Sequence, residues 1–347
     1  MFTRSSFSND RNIKIKICNF IIGLVFIHSI YGDDVLKSGE KVIFLGDSIT
    51  AQGWERPHGY VRLVVEGLKL SGIKIQPIPA GIGGNTSLDI LARLKRDVLN
   101  KNADWVLILC GMNDVIHGSK GIEIDLFKAN MSNIVKKCEA ANIKVALLTP
   151  TTYGDAKNEN AKKLERYSAY LRLLAKEKKC KLIDLNQVFS KTVKKVKPMF
   201  ALTGDGVHMT SEGNILLAKT ILKSFNITDQ QIIDSYQKWL DIPHAGDISA
   251  RVDIVLNKQY FSVKSTLTLR QREKLINIAQ EANKPTLMHW AKDFLHSLIK
   301  KKVKPLGEFN SLSDLFEAKN KKNIQTELQE EFNREIQKMT GQTGNVE

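Results

Sequence analysis

Four short motifs, widely separated along the chain, contain the residue types that acyl transfer requires. They place Ser48 in a Gly-Asp-Ser-Ile run, Gly84 in a glycine-rich segment, Asn113 in a Gly-Met-Asn-Asp run, and Asp205 with His208 in an Asp-Gly-Val-His run. A serine hydroxyl is a poor nucleophile unless a base accepts its proton and a carboxylate orients that base. The combination predicts a serine hydrolase.

Each of these residues has a role in that chemistry. We predict Ser48 as the nucleophile, His208 as the general base and Asp205 as the carboxylate that orients the histidine. The backbone N–H groups of Ser48 and Gly84, with the side-chain amide of Asn113, would donate hydrogen bonds to the oxyanion of the tetrahedral intermediate. Because free histidine titrates near pH 6.5, a histidine base predicts activity that rises with pH through about that value.

Residues close to the motifs are candidates for substrate binding. Trp54 and Tyr60 would form an aromatic wall for a sugar ring or an acyl chain, with core packing as the alternative. His117 would line the pocket or hydrogen-bond within its own loop, and Asp47 would contact substrate, fix its loop or cap a helix. Gly46 would permit a tight turn where a Cβ atom would crowd the backbone.

Residues 41–225 alternate short apolar runs with amphipathic segments. The apolar runs predict strands at Val42–Leu45, Ile73–Ile78, Trp105–Leu109, Val145–Leu148 and Lys181–Asp184. The helical periodicity predicts helices at Tyr60–Leu70, from a cap at Ser87, and at Ile124–Ala141, Leu164–Lys178 and Ile215–Leu222. This alternation indicates a parallel sheet with helices on both faces. Three of the motifs follow the first three strands, so the carboxyl edge of the sheet should bring them together.

The first 32 residues have the composition of an export signal. A basic start is followed by an uncharged apolar run at 17–31, which is shorter than the roughly 20 residues of a spanning helix. We expect a cleaved signal peptide and export to the periplasm or the medium, with an N-terminal membrane anchor or a buried strand as alternatives. We expect no spanning helix in the mature chain.

The composition of the 347-residue chain narrows the function classes. The formal net charge is +15, but the lysines are scattered and their densest run lacks interleaved aromatic residues, which argues against nucleic acid as a partner. Four cysteines at irregular spacing predict neither a disulfide framework nor a metal site. The chemistry outlined above needs no cofactor.

The chain changes character after Asp241. Residues 242–246 have the composition of a linker, and helical periodicity predicts helices at Leu267–Glu281, Thr286–Ile299 and Leu312–Met339. One apolar stripe, which is typical of a packing surface, contains Ile324, Leu328, Phe332 and Ile336. These helices would dock on the preceding domain or bind a partner that the sequence does not identify.

The four motifs, in this order, resemble those of the SGNH hydrolase superfamily, also called the lipolytic GDSL family. Its Ser, Gly, Asn and His correspond here to Ser48, Gly84, Asn113 and His208, and its acid corresponds to Asp205. Ile49 replaces the usual leucine, which is a conservative change. The resemblance covers about residues 41–225 and implies a flavodoxin-like three-layer α/β/α sandwich that works without metal or organic cofactor.

With this resemblance, the chain divides into an N-terminal segment at 1–32, an SGNH hydrolase domain at 33–241 and a helical extension of unknown role at 242–347. The family includes esterases, lipases, thioesterases and carbohydrate deacetylases. We expect an exported serine esterase that removes O-acetyl groups from a glycan. The alternatives are a lysophospholipase or thioesterase acting on a lysolipid-type substrate and, from another class, a carbohydrate-binding or scaffolding module without catalysis.

Overall fold

The computed structural model describes residues 35–153, 158–195, 201–243, 246–254, 259–303 and 318–341. The expected export signal at 1–32 lies outside these ranges. Within them, no helix combines the length and the apolar composition that crossing a bilayer requires.

A five-stranded parallel sheet forms the centre of the first unit. Its strands are β1 (Lys41–Gly46), β2 (Gln76–Gly81), β3 (Trp105–Leu109), β4 (Lys144–Leu148) and β5 (Lys181–Ile183), arranged in the order β2-β1-β3-β4-β5. Every residue of β3 is buried, as expected for a parallel strand covered on both faces. This strand order is that of the flavodoxin-like sandwich, and the predicted fold class is confirmed.

The helices of this unit follow the strands along the chain. They are α1 (Ser48–Glu55), α2 (Tyr60–Leu70), α3 (Ser87–Asp97), α4 (Met112–Ile116), α5 (Ile124–Ala140), α6 (Glu159–Lys178), α7 (Leu185–Val193), α8 (Ser211–Ser224) and α9 (Asp229–Trp239). Two helices begin earlier than their apolar periodicity predicts, at Glu159 and Ser211. Their first turns are set by the side-chain caps of Asn158 and Thr210, which lie outside the apolar stripes.

The second strand is also displaced from its prediction, since β2 runs from Gln76 to Gly81 and not from Ile73 to Ile78. Its register with β1 pairs Gly46 with Gly81. The glycine-rich segment therefore starts at the carboxyl edge of the sheet, beside the end of β1. This edge is where the first three motifs gather.

The C-terminal unit is not purely helical, and our expectation of a helical extension was incomplete. An antiparallel hairpin of β6 (Gly246–Ile254) and β7 (Gln259–Leu267) precedes α10 (Leu269–Glu281), α11 (Leu287–Val303) and α12 (Ala318–Thr340). Apolar and polar residues alternate along β6 in the sequence, as expected for a strand with one buried face. In the structure, Ile248, Ala250 and Val252 are buried, while Ser249 and Arg251 between them are exposed. The buried strand face and the helices form a second hydrophobic cluster.

Two glutamine side chains of α12 pair with the backbone of β7. Gln325 exchanges two hydrogen bonds with the N–H and carbonyl of Ser262, and Gln329 does the same with Lys264. Four residues of helix rise about 6 Å, which is close to the span of two strand residues, so the two spacings match. The glutamines occupy backbone groups that an edge strand would otherwise expose.

Candidate active site

Ser48 is the first residue of α1, and only the N-cap Asp47 separates it from the end of β1 at Gly46. A Cβ atom on Gly46 would lie 2.2 Å from Thr50 Oγ1 and 2.8 Å from Leu109 O, so this turn requires glycine, as predicted. Ser48 is partly buried. Its N–H is one of the first four of α1, which have no acceptor within the helix. That donor is therefore available to a ligand beside the hydroxyl.

Asp47 does not have the exposure that substrate binding needs. Its side chain is only 1% exposed and accepts a hydrogen bond from Ile49 N at 2.9 Å, which makes it the N-cap of α1. Burial, with the nearby charge of Asp114, raises the pKa of Asp47 to about 7. The prediction of Asp47 as a substrate-binding residue was wrong, and its alternative as a helix cap is correct.

The ring of His208 joins the serine to a carboxylate. Its Nε2 lies 2.9 Å from Ser48 Oγ, and its Nδ1 lies 2.7 Å from Asp205 Oδ2. Asp205 Oδ1 accepts two further hydrogen bonds, from Val207 N at 2.9 Å and from His208 N at 2.7 Å. The structure thus brings together Ser48, from near the start of the first unit in the sequence, with Asp205 and His208, from near its end.

These contacts define the proton positions. Partial burial opposes ionisation of Asp205, but hydrogen bonds from the His208 ring and from the two backbone N–H groups outweigh it and lower the pKa of Asp205 to about 2. An ionised carboxylate only accepts, so Nδ1 of His208 carries the proton and donates it to Asp205. Nε2 then has a free lone pair and accepts from the Ser48 hydroxyl. In this arrangement, the histidine can remove the hydroxyl proton.

The loop that carries Asp205 and His208 is closed on itself. Gly204 N donates to His208 O at 2.9 Å, and Thr210 N donates to Leu202 O at 3.1 Å. Gly206 has a φ of +89°, a conformation that favours glycine, and a Cβ atom there would lie 3.3 Å from the ring of Tyr153. Tyr153, which the sequence did not single out, therefore packs beside the histidine loop at the end of β4.

The glycine-rich segment and the Asn113 motif adjoin the serine. Ser48 Cβ is the nearest atom, at 3.9 Å, to a Cβ atom placed on Gly83, and Gly84 has a φ of +77°. Asn113 is buried in the first turn of α4, and its Nδ2 donates to Asn85 O at 3.0 Å. Gly84 and Asn113 thus lie on neighbouring segments at the serine's edge of the sheet. Their role as oxyanion donors stays a prediction.

Arg93 is a residue of this region that sequence reasoning missed. Its buried guanidinium donates to Asn85 Oδ1 at 2.7 Å, to Gly46 O at 2.9 Å and to Asp97 Oδ2 at 2.8 Å. It therefore cross-links the end of β1, the glycine-rich segment and α3. A signal was available, because Arg93 lies three residues after Ile90 on the apolar face of its helix, where a lone charge is unusual.

The predicted aromatic wall is only partly available. Tyr60 is 1% exposed, and its hydroxyl lies 2.9 Å from Thr50 Oγ1, so it belongs to the core and its prediction as a substrate-binding residue was wrong. Trp54 is half-buried, and the guanidinium of Arg62 lies 4.9 Å from its ring centroid. His117 is exposed at the end of α4. Substrate contact by Trp54 or His117 stays a prediction.

Among the described residues, no group of three or more His, Cys, Asp or Glu side chains could hold a metal ion. Cys110, Cys138 and Cys180 form no disulfide within the same ranges. Burial raises the pKa of Cys138 to about 12 and that of Cys110 well above its usual range. Both thiols are therefore protonated and poor nucleophiles.

Comparison with known proteins gives one consistent result. The model of the GDSL-like lipase/acylhydrolase family matches residues 44–215. An acetylxylan esterase from Geobacillus stearothermophilus is 30% identical over 208 residues, which are 54% of this chain and 94% of the relative. Esterase TesA from Pseudomonas aeruginosa is 28% identical over 175 residues, covering 49% of this chain and 80% of the relative.

Solved structures agree with the sequence matches. The crystal structure of Axe2, an acetylxylan esterase from Geobacillus stearothermophilus, has a TM-score of 0.52 at 29% identity and covers 56% of this chain and 97% of that one. The acetyl xylan esterase AlAXEase has a TM-score of 0.50 at 38% identity and covers 53% of this chain and 98% of that one. Each of these matches spans about half of this chain.

Proposed function

This chain belongs to the GDSL-like lipase/acylhydrolase family, the SGNH hydrolases, and from that membership we propose that it removes acetyl groups from a carbohydrate through an acyl-enzyme on Ser48. Its class is that of hydrolases acting on ester bonds. The single observation that carries the assignment of the nucleophile is the hydrogen-bond chain from Ser48 Oγ through His208 to Asp205.

The reaction proceeds in two halves. Ser48 Oγ attacks the ester carbonyl carbon while His208 Nε2 takes the hydroxyl proton, and Asp205 stabilises the imidazolium ion that results. The tetrahedral oxyanion accepts hydrogen bonds from Ser48 N–H, Gly84 N–H and the Asn113 amide. When the intermediate collapses, the ester C–O bond breaks and His208 returns the proton to the leaving alcohol, so that acetyl-Ser48 and the free alcohol remain.

Deacylation repeats these steps with water as the nucleophile. His208 removes a proton from the water molecule, whose oxygen attacks the acetyl carbonyl carbon. The second intermediate collapses with proton transfer from His208 to Ser48 Oγ, which releases acetic acid and restores the free hydroxyl. The net reaction consumes one ester and one water and yields one alcohol and one acetic acid, which ionises to acetate and a proton.

The acetyl-carbohydrate substrate is supported by the relatives. Two acetylxylan esterases share 30% and 38% identity with this chain, and it covers 94% and 98% of their lengths. The match to esterase TesA supports the wider esterase class without indicating the acyl group. Acyl chain length separates the candidates, because an acetylesterase loses rate steeply beyond short acyl groups whereas a lipid hydrolase does not.

The decisive assay measures acetate released from acetylated xylan, beside p-nitrophenyl acetate, butyrate and octanoate and a lysophospholipid. We expect Ser48→Ala to lose at least about 1,000-fold in kcat on acetyl esters. Ser71→Ala, which removes a hydroxyl bonded to Gly67 O at the end of α2, is the matched control and should retain wild-type activity. Equal turnover by wild type and Ser48→Ala would refute the nucleophile.

A second measurement separates an esterase from a binding module. A fluorophosphonate probe should label wild type once and leave Ser48→Ala unlabelled. Folded wild-type protein that binds acetylated glycan but never takes the label would favour a non-catalytic module. Preference for lysophospholipid and octanoate over acetyl esters would instead favour the lipid hydrolase.

Export is also a proposal, and it rests on the composition of residues 1–32. The basic start and the short apolar run are typical of a signal peptide. Expression of the full chain in a Gram-negative host should place the protein in the periplasm, and sequencing of its N-terminus should show cleavage near residue 32. Retention in the cytoplasm with an intact N-terminus would contradict this.

A further inference from the structure

The C-terminal unit meets the first unit through the start of α10. Leu269 packs into the hydrophobic cluster of the first unit, and Arg270 N donates to Leu240 O at 2.9 Å. The Arg270 guanidinium makes two hydrogen bonds to Asp241, at 2.7 and 3.0 Å. This last pair is exposed, at 44% for the arginine side chain and 62% for the aspartate, so it should contribute little.

A second ion pair at the same junction is more deeply placed. Arg272 Nη1 donates to Glu212 Oε1, and the two side chains are 15% and 20% exposed. Glu212 Oε2 is buried and has no hydrogen-bond partner among the described residues. The carboxylate is therefore held through Oε1 by an arginine of the other unit. Loss of either side chain would break this link between the two units and leave the remaining charge poorly solvated.

Glu212 lies in the first turn of α8, and that turn is joined to the loop that carries His208. The N-cap Thr210 accepts from Gly213 N at 3.2 Å, while its hydroxyl donates to Ala201 O at 2.7 Å. A Cβ atom on Gly213 would lie 2.0 Å from Leu202 O, so turn and loop are in close contact. Displacement of the turn must move the ends of the histidine loop.

The same turn is also connected to the nucleophile. Asn214 Oδ1 accepts from Tyr60 N at 2.9 Å, and the Tyr60 hydroxyl lies 2.9 Å from Thr50 Oγ1, two residues after Ser48. The first turn of α8 is therefore linked by hydrogen bonds both to the histidine loop and, through Tyr60, to the helix that begins at Ser48. These two segments carry the atoms of the 2.9 Å contact of His208 with Ser48.

Packing on the outer side of this turn is open. A cavity of 260 Å³ lies between the two units, and its lining includes Leu202, Glu212, Leu269 and Arg272. Apolar side chains on this side therefore do not close tightly against the turn. The ion pair lies beside the cavity and is a polar link from α10 to the first turn of α8, which adjoins the histidine loop.

We propose that Arg272 is a positioning residue, which holds the Asp205 and His208 loop in register with Ser48 through its ion pair with Glu212. The proposal rests on the serine esterase function proposed above. It assigns a role to the C-terminal unit, which lies outside the residues matched by the family model. The role is indirect, because Arg272 acts through the first turn of α8.

The test compares Arg272→Gln, Glu212→Gln and the double variant with Arg270→Gln as a matched control from the same junction. We expect kcat on p-nitrophenyl acetate to fall about 10- to 100-fold in both single variants, because a misplacement of about 1 Å in the catalytic geometry has effects of up to that size. KM should stay within about twofold. The double variant should be no worse than either single variant, since both remove one link.

Hydrogen–deuterium exchange supplies a readout that does not depend on activity. Peptides covering residues 201–213 should exchange faster in Arg272→Gln than in wild type, while peptides from β3 and β4 stay unchanged. Arg270→Gln should show wild-type kcat and wild-type exchange in this loop. Arg272→Lys, which keeps the charge, should recover part of the lost kcat.

Two results would overturn the proposal: equal kcat in Arg272→Gln and Arg270→Gln, or unchanged exchange at 201–213 in Arg272→Gln and Glu212→Gln. If Arg272→Gln does not fold, Glu212→Gln and Arg272→Lys decide the question by the same two measurements. If wild type hydrolyses no ester, the proposed function fails, and the exchange data still decide whether Arg272 holds the loop.

Discussion

Asparagine in place of Asp205 should leave the protein folded and still remove almost all esterase activity. The reason lies in how the two carboxylate oxygens divide their partners. Oδ1 accepts from two backbone N–H groups, of Val207 and His208, whereas Oδ2 faces Nδ1 of the His208 ring at 2.7 Å. An asparagine amide has one acceptor oxygen, and the two N–H groups require it at the Oδ1 position.

The amide nitrogen must then face Nδ1 of His208. Because this nitrogen is a donor, Nδ1 must become the acceptor and the ring proton must move to Nε2. Nε2 can no longer accept the Ser48 proton, although the distance between the two atoms is unchanged. The variant therefore locks the histidine in the unproductive tautomer while keeping the loop closed.

The expected loss is about 10,000-fold in kcat, the size seen for this tautomer error in a serine protease triad, which corresponds to about 5.4 kcal/mol of transition-state stabilisation. Stability should change little, because the Asp205 side chain is 57% exposed and its backbone contacts persist. Alanine at this position cannot impose a tautomer, so Asp205→Asn should be at least as inactive as Asp205→Ala.

The assay is kcat on p-nitrophenyl acetate for wild type, Asp205→Asn and Asp205→Ala, with thermal unfolding as the control for folding. The protonated ring nitrogen of His208 can be identified by ¹⁵N NMR in both variants. A folded Asp205→Asn protein that keeps more than about a tenth of wild-type kcat would refute the reasoning. So would an Asp205→Asn spectrum in which Nδ1 of His208 still carries the proton.

Three further predictions follow from the same geometry. Gly46→Ala should lower kcat and should lower the free energy of unfolding by about 1–3 kcal/mol, because the added Cβ would lie 2.8 Å from the fixed carbonyl oxygen of Leu109. Unfolding in urea and the acetyl ester assay check the two effects. Asn113→Ala should lower kcat about 100- to 1,000-fold with a smaller change in KM, as loss of one oxyanion donor does. Asp47→Asn should remove a pH dependence of stability. Burial raises the pKa of Asp47 from 3.8 to about 7, so between these values the folded state keeps a proton that the unfolded state loses. The free energy of unfolding therefore falls by up to about 4 kcal/mol as the pH rises from about 4 to 7. Asp97→Asn is a control in which stability changes with pH in the opposite direction. Hydrogen bonds from Arg96 and Arg93 outweigh burial and lower the pKa of Asp97 to about 2. The stability that the ionised Asp97 contributes is therefore lost only as the pH falls from about 4 to 2. Parallel stability curves for wild type and Asp47→Asn would contradict the first assignment.

Much of the fold was predictable because its signals are local. Apolar runs mark β1, β3 and β4 within one residue of their observed ends, since a buried parallel strand needs an uninterrupted apolar sequence. The hairpin of β6 and β7 was predictable in principle, because its alternating pattern is present in the sequence. The start of α8 was missed for a different reason: its polar first turn contacts the histidine loop and carries no apolar periodicity.

Chemistry that depends on residue type and immediate neighbours was determined by the sequence itself. A glycine at the end of β1, a serine at the start of a helix, and an aspartate three residues before a histidine define the reactive groups, because backbone sterics and functional groups act over a few residues.

Only the tertiary structure decided which distant groups meet. Ser48 and His208 are 160 positions apart and come within 2.9 Å because the sheet order places their segments at one edge. Tyr60 could have faced substrate or core by its periodicity, and its contact with Thr50 settles that it faces the core. The ion pair of Arg272 with Glu212 joins two units, and the apolar residues of each unit form a hydrophobic cluster without it. Such contacts depend on how whole elements pack, and no short stretch of sequence records that packing.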